Sequence, residues 1–255
     1  ILRNVVQFSP VRQAARVANT SAGEVTIPKR TGNLTGRWVG ETEPRTSTEP
    51  SYGQLSIPIH TAACFVDISL QMIEDAAVDF AAEIAFDLGQ EFGRMEGSAF
   101  VSGTGIKQPS GVMSDSTIPT VKTGSATGLT ADGLIDAFYS LAPFYRNQST
   151  WMLNSTSVAA ARKLKDEYGQ YLWQPSLAAD QPPTLLGRPV VEAIDMPGAG
   201  AGATPVLLGD FKNGFRIYDR VSLAILRDPY SQQVNGLCRF HARRRVGGGV
   251  AMSEA

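Results

Sequence analysis

Between about Asp75 and Met95 apolar side chains recur every three or four residues, at Ala77, Phe80, Ala81, Ile84, Leu88, Phe92 and Met95. Asp79, Glu83, Asp87, Glu91 and Arg94 fall between them. That spacing predicts one long amphipathic helix, its apolar stripe turned to a core and its charges to solvent or a partner. At 1.5 Å rise per residue such a helix runs roughly 30 Å, about the width of a small domain, so it reads as a spine on which the rest of the chain is laid. Gly89 and Gly93 each cost it about 1 kcal/mol relative to Ala, which predicts a close contact or a bend there.

The stretch ahead of that helix has little core of its own. Residues 1–30 read as an extended arm, with Val5-Val6 and Val25-Thr26-Ile27 broken by Ser9-Pro10, Ser21-Ala22-Gly23 and Pro28. From Trp38 to about Asp67 the chain is rich in Thr, Ser, Pro and Glu, then alternates in Leu55-Ser56-Ile57-Pro58-Ile59 and in Cys64-Phe65-Val66-Asp67-Ile68. This predicts a long two-stranded hairpin with a polar tip near Thr46 to Gly53. Isolated two-stranded ribbons are marginal in water, so a neighbouring subunit is the expected partner.

After the helix come a Gly-rich turn and a second helix through Leu134, Ile135, Phe138, Tyr139 and Ala142, opened near Thr130 and stopped by Pro143. Trp151-Met152-Leu153 reads as a short strand. Ser155-Thr156-Ser157 offers cap oxygens for a third helix through Val158, Ala161 and Leu164, closed by Gly169. Strands follow at Val190-Val191, Val206-Leu207-Leu208, Phe215 to Tyr218, Leu223 to Leu226 and Leu237 to Val246. Helices and strands mix without a β-α-β rhythm, which makes the fold class α+β.

With 255 residues and 43% hydrophobic content, one large domain or two modest ones can form. The 23 basic and 24 acidic residues leave a net charge of -1, which argues against bulk attraction to phosphates or anionic membranes. No apolar run approaches the ~20 residues a membrane span needs, so a soluble protein with no membrane partner is expected. Cys64 and Cys238 are the only cysteines, and free thiols are expected.

Four features invite a chemical reading. The stretch Gly103-Thr104-Gly105-Ile106-Lys107-Gln108-Pro109-Ser110-Gly111 resembles a phosphate-binding loop in composition, but it follows a helix instead of opening one and lacks Gly-Lys-Ser/Thr. A structural turn is the better reading. His60, Cys64, Cys238 and His241 make a potential zinc set, yet on strands the first two lie roughly 13 Å apart and the last two face opposite ways. With two histidines and no Gly-x-Ser-x-Gly elbow, a Ser-His or Cys-His hydrolase has little to work with. No catalytic, cofactor or metal residue is therefore expected. The run Arg239-Phe240-His241-Ala242-Arg243-Arg244-Arg245 puts Arg239, His241, Arg243 and Arg245 on one strand face, where pairing with acidic residues of another subunit or plain solvation is favoured over nucleic-acid contact.

Read in order, the landmarks resemble the Hong Kong 97-like major capsid family of tailed bacteriophages, prophages and gene transfer agents. They are Ser9-Pro10-Val11-Arg12, Trp38-Val39-Gly40-Glu41, Glu74-Asp75-Ala76 before the spine helix, and Phe100-Val101-Ser102-Gly103-Thr104-Gly105 with Gln108-Pro109-Ser110-Gly111-Val112, which is the most specific. Trp151 to Asn154, Leu164-Lys165-Asp166 with Gly169, Leu185 to Val190 and Gly209-Asp210-Phe211 agree.

The resemblance implies an N-terminal arm at 1–37, an extended loop at 38–67, a peripheral domain at 68–117, an axial domain at 118–222, and a return to the peripheral domain at 223–255. It implies hexamers and pentamers of an icosahedral virion shell, assembled in the bacterial cytoplasm around double-stranded DNA bound without sequence specificity. Portal, scaffolding, protease and decoration proteins are the implied partners, and a start at Ile1 is expected of a matured chain freed of a scaffolding region. Subunit contacts are expected at Trp38, Glu41, Arg45, Glu49 and Tyr52 of the loop, Arg227, Asp228 and Tyr230 of the return, and Arg243 and Arg245 of the last strand. Self-cross-linking members use a loop Lys, an Asn and a nearby Glu. Here no Lys occurs between Lys29 and Lys107, and Arg243 stands where that Glu is sought after Asn235, so no isopeptide bond is expected. The competing readings are an encapsulin-type compartment of the same fold and a small-molecule-binding enzyme using the Gly103 to Gly111 turn.

Overall fold

A computed structural model describes residues 9–31, 35–41, 47–75, 80–125, 128–173 and 183–255. Its central element is strand β10, Leu237–Val250, where a period of two sends Cys238, Phe240, Ala242, Arg244 and Val246 into the core. Four strands lie side by side in the order β1, β9, β10, β4. Here β1 is Arg16–Asn19, β4 is His60–Ser69 and β9 is Phe215–Asp228. Strand β9 runs on from Phe215 through Asp228 where the sequence reading divided it in two. Register shifts against β10 near Arg243 and Arg245 take up the irregularity.

The long helix, Phe80–Ser102, lies across one face of this sheet, with Ile84, Leu88 and Phe92 packed on Cys238, Phe240 and Ala242. It extends past the expected end at Met95, and Leu70–Asp75 forms a helix of its own. The i+4 series 84, 88, 92 continues through Glu96 to Phe100; the charge at Glu96 hides a position that is 4% exposed. Gly89 and Gly93 are buried along the same helix.

Glu96 belongs to a buried charge quartet that joins four elements. Arg12, from the short helix Pro10–Ala14, grips Asp219 of β9 through both guanidinium nitrogens at 2.6 and 2.8 Å. It also donates to Glu96 at 3.2 Å. Arg244 of β10 faces Glu96 with its Nε and Asp219 with its Nη2 at 3.4 Å. Two arginines and two carboxylates cancel. Burial pulls the Arg12 guanidinium down, but the hydrogen bond to Asp219 and the attraction of both carboxylates outweigh it and hold it above its ordinary value. Burial pushes the Glu96 carboxyl up, against the pull of Arg12 and Arg244.

A second sheet runs β6, β7, β5, β8, at Thr184–Leu185, Arg188–Glu192, Thr150–Leu153 and Val206–Gly209. Trp151, Met152 and Leu153 on its middle strand are fully buried, and the Trp151 indole N–H donates to the Leu185 carbonyl at 2.9 Å. Leu134 of helix Ala131–Ser140 and Val158 and Ala161 of helix Ser155–Arg162 cover one side. Thr130 caps the first of these, as expected, accepting from the Gly133 N–H. The second is capped by Asn154 and not by the serines after it, and it ends at Lys163, well before Gly169. Met152, Ala193 and Met196 share a core with Val11, Phe100, Phe215 and Ile217, which ties the two sheets together.

The hairpin differs from expectation. Strand β3, Tyr52–Pro58, pairs antiparallel with β2, Glu24–Arg30, from the stretch read as arm, while the Cys64 to Ile68 segment pairs with β10. The ribbon therefore spans both the arm and loop divisions. Alternation in Cys64 to Ile68 marks a strand but cannot say which neighbour it has.

Removing one member of the quartet leaves a buried charge uncompensated, which costs about 3–5 kcal/mol. Glu96→Gln is expected to lower subunit stability by that order in chemical denaturation. An unchanged midpoint would show that the quartet is not a buried ionic network.

Candidate functional site

The Gly103 to Gly111 stretch is closed on itself. Gly103 N–H donates to Ala99 O at 2.9 Å, Gly111 N–H to Gly103 O at 2.8 Å, and Ser110 N–H to Gly248 O on β10 at 3.1 Å. A side chain at Gly103 would sit 2.2 Å from the Pro109 carbonyl, and one at Gly111 would sit 2.6 Å from Gly103 N. These glycines let the chain fold back over the helix end; their N–H groups are used internally and not aimed at an anion. The most specific motif in the sequence is thus an architectural clasp.

Cys238 faces the core and His241 faces outward, so the Cys/His set does not converge. Burial, reinforced by Glu91, pushes the Cys64 thiol above its ordinary value, away from the thiolate a metal or a nucleophilic mechanism needs. Among the described residues no cluster of three or more metal-ligating side chains occurs.

The remaining candidates are surfaces. The β2–β3 ribbon is anchored at its base, where Ile57 is 1% exposed and packs beside Gly247 and Gly249 of β10. At Gly247 a side chain would meet Pro58 O at 2.6 Å, so only glycine lets the ribbon cross the sheet here. From Ile57 to Tyr52 the strand rises roughly 17 Å. Thr31 N–H donates to Ser51 O at 2.8 Å and Thr48 Oγ1 to Thr35 O at 3.1 Å, which holds the two sides together beyond the strands. Residues 35–41 are exposed throughout, Trp38 completely. Glu41, Glu49 and Tyr52 are exposed as well; Arg45 lies outside the described residues.

The outer face of the four-stranded sheet is built in cross-strand rungs. Register places Asp67, Arg239 and Asp228 on one rung, Phe65, His241 and Leu226 on the next, then Ala63, Arg243 and Ala224, then Thr61, Arg245 and Val221. Arg239 grips Asp67 through two nitrogens at 2.6 and 2.7 Å and lies over the Phe65 ring at 4.4 Å. Asp228 accepts from the backbone of Tyr230 and Ser231 and from the Ser231 hydroxyl, shaping the loop that presents Tyr230. The neighbours of Arg243 and Arg245 across the strands are uncharged. Phe65 and Leu226, 59% and 65% exposed, form the apolar ends of a shallow concavity. Arg227 is exposed opposite Phe240. Of the predicted contact residues, the structure groups Asp228, Arg243 and Arg245 on this face and puts Trp38, Glu41, Glu49 and Tyr52 on the ribbon. Sequence reasoning missed Phe65 and Leu226, whose alternation with Cys64 and Ile225 is the signal that marks them as outward.

A family model described as "Phage capsid family" matches residues 1–255. Among solved structures, the capsid of an empty GTA particle computed with C5 symmetry is 31% identical, with a TM-score of 0.89 over 97% of this chain and 88% of that one. The capsid of the native GTA particle is 32% identical, with the same score and coverage. A structure from Microbacterium phage Oxtober96 shares the fold at 16% identity and TM-score 0.74, over 96% of this chain and 85% of that one. No curated protein matches the chain.

The outer-face aspartates give a pH signature. The hydrogen bond from Arg239 holds Asp67 below the usual carboxylate range, and the Ser231 hydroxyl and two backbone N–H groups do the same for Asp228. A depressed carboxylate contributes stability that is complete above its unfolded value, about 4, and is lost as pH falls through the folded value. The stability difference between the native chain and Asp67→Asn is expected to shrink as pH is lowered from 7 to 2.5; a difference constant across that range would contradict the pairing.

Proposed function

The chain belongs to the phage capsid family and is a major capsid protein of an icosahedral shell with the Hong Kong 97-like fold, and from that premise we propose how it assembles. The observation that carries the assignment is 31% identity to a GTA capsid across 97% of the chain. A homo-oligomeric shell with fivefold symmetry and a place in the virion capsid follow at that level. The encapsulin-type compartment is not favoured.

In our reading the ribbon, residues 24–58, together with the expected loop at 38–67, reaches over a neighbouring subunit. Residues 118–222 form the axial part, and 68–117 with 223–255 form the peripheral part. Copies close into pentamers and hexamers around double-stranded DNA, which is held without base recognition, and the chain has no catalytic role. Scaffolding, portal, protease and decoration proteins are the partners such a shell takes, and the bacterial cytoplasm is where it forms. What supports the neighbour contact is physical. A ribbon anchored at its base around Ile57 carries a tryptophan that is fully exposed.

Sedimentation and electron microscopy of the purified chain across protein and salt concentrations are expected to show rings or closed shells. A strict monomer, retained when any natural N-terminal extension is restored, would refute the reading. Denaturing gels of assembled particles are expected to show a single subunit band, because no loop lysine lies between Lys29 and Lys107. A ladder of covalent multimers would overturn that expectation.

A further inference from the structure

We infer that Asn235 is a site of spontaneous deamidation, converting to aspartate and isoaspartate through its link to Gly236, and that the fold withholds the same reaction from Asn213. The pair Asn-Gly occurs twice in the chain, at Asn213-Gly214 and at Asn235-Gly236. Asparagine is among the thermolabile residues, and a glycine after it puts no side chain in the way of ring closure. In that closure the Gly236 nitrogen gives its proton to water and bonds to the side-chain carbon Cγ of Asn235. The Cγ–Nδ2 bond breaks, ammonia leaves, and a five-membered succinimide remains. Water then opens the ring at one of its two carbonyls, which yields aspartate or isoaspartate. No other co-reactant is needed.

The two pairs differ in what must move before the nitrogen can reach Cγ. Each glycine N–H is engaged within a turn, Gly236 with Gln233 O at 3.0 Å and Gly214 with Asp210 O at 2.8 Å, so each turn has to open first. Asn235 ends a single helical turn, Gln233–Asn235, whose residues are all exposed, and Gly236 follows it at φ 68°. A side chain built on Gly236 would meet nothing within 4 Å, so this segment has open space to swing into. The Asn235 amide donates to the neutral carboxamide of Gln232 at 2.7 Å. Asn213 lies in the short helix Phe211–Gly214, and its amide donates to the Asp210 carboxylate at 2.6 Å. Asp210 and Gly214 are buried, and the Gly214 carbonyl accepts from the N–H groups of Ala251 and Met252 at 2.7 and 3.2 Å. Opening that turn pulls apart a packed junction, whereas opening the Asn235 turn disturbs an exposed loop. The product changes the turn that starts β10. Isoaspartate lengthens the backbone by one carbon beside Gly236, whose carbonyl accepts from Leu70 N–H at 2.9 Å.

The test is a time course on the full chain at neutral pH in water labelled with heavy oxygen, read by mass spectrometry after trypsin digestion. Trypsin separates the two sites, placing one in Asn213–Arg216 and the other in Asp228–Arg239. In the folded chain the labelled acid is expected to accumulate in Asp228–Arg239 at least about tenfold faster than in Asn213–Arg216. In the chain unfolded by denaturant the two peptides are expected to convert at similar rates, which assigns the difference to the fold. Asn235→Gln, at an exposed position, is expected to remove the signal from its peptide. Equal rates in the folded chain, a faster Asn213, or an Asn235 peptide that stays unlabelled while the unfolded chain converts would each overturn the inference.

Discussion

Four charged side chains with almost no access to water set the geometry on which the rest of this subunit depends. Arg12, Glu96, Asp219 and Arg244 come from four elements, and none can be satisfied unless the other three are in place. Hydrophobic packing of the helix on the sheet tolerates sliding, because Ile84, Leu88 and Phe92 meet a surface of similar side chains. A bidentate arginine–aspartate fork does not, since an ångström of displacement breaks both bonds. The quartet thus fixes the register of the spine helix against β9 and β10 and fastens the Pro10–Ala14 segment to both. Replacing such a network with apolar residues is often neutral for stability, so its contribution lies in uniqueness of arrangement more than in free energy.

Fixing those elements also fixes the crossing of the ribbon. Gly247 and Gly249 on β10 lie a few residues beyond Arg244, and the carbonyl of Pro58 passes where a side chain on Gly247 would stand. On the opposite side of the same strand, Gly248 leaves room for the rings of Phe100 and Phe215, and its carbonyl receives the Ser110 N–H of the Gly103 to Gly111 clasp. One triglycine run therefore serves the helix end, the clasp and the ribbon base together. The angle at which the ribbon leaves the body is set by the same strand that carries Arg243 and Arg245, so ribbon and outer sheet face keep a constant relation within each subunit. Repeating that relation from copy to copy is what a closed shell requires.

The sequence revealed elements wherever a single periodicity acted without interference. The spine helix, the Trp151 strand and the outward row Arg239, His241, Arg243 and Arg245 were legible because spacing alone decides them. Pairing partners were not. The strand at Val25 to Ile27 joins Leu55 to Ile57 across a loop, while Cys64 to Ile68 joins β10 from far along the chain, and alternation looks the same in both. Buried charge was the other blind spot. Glu96 falls on the apolar stripe and Arg244 on the inward side of its strand, but a reader who counts only apolar residues ends the helix at Met95 and assigns every arginine of the run to solvent or a partner. The tell-tale in each case was a charge at a position where the period demanded an apolar residue.

The two faces of the layered body differ in sign, and this bears on how the subunit is used. Glu83, Asp87 and Glu91 line the exposed side of the helix, with Arg94 committed to Glu91. The sheet presents Arg243 and Arg245 on the far side. A net charge of -1 conceals this separation. Two copies approaching face to like face meet repulsion, whereas the acidic helix face of one copy approaching the arginine-bearing face of another meets attraction, which biases encounter toward unlike faces before any apolar contact forms. A closed shell gains from such a bias, because each contact must form reversibly until the last subunit closes the surface. A ribbon held at its base can adjust to neighbours set at different angles, while the quartet keeps the body it springs from unchanged.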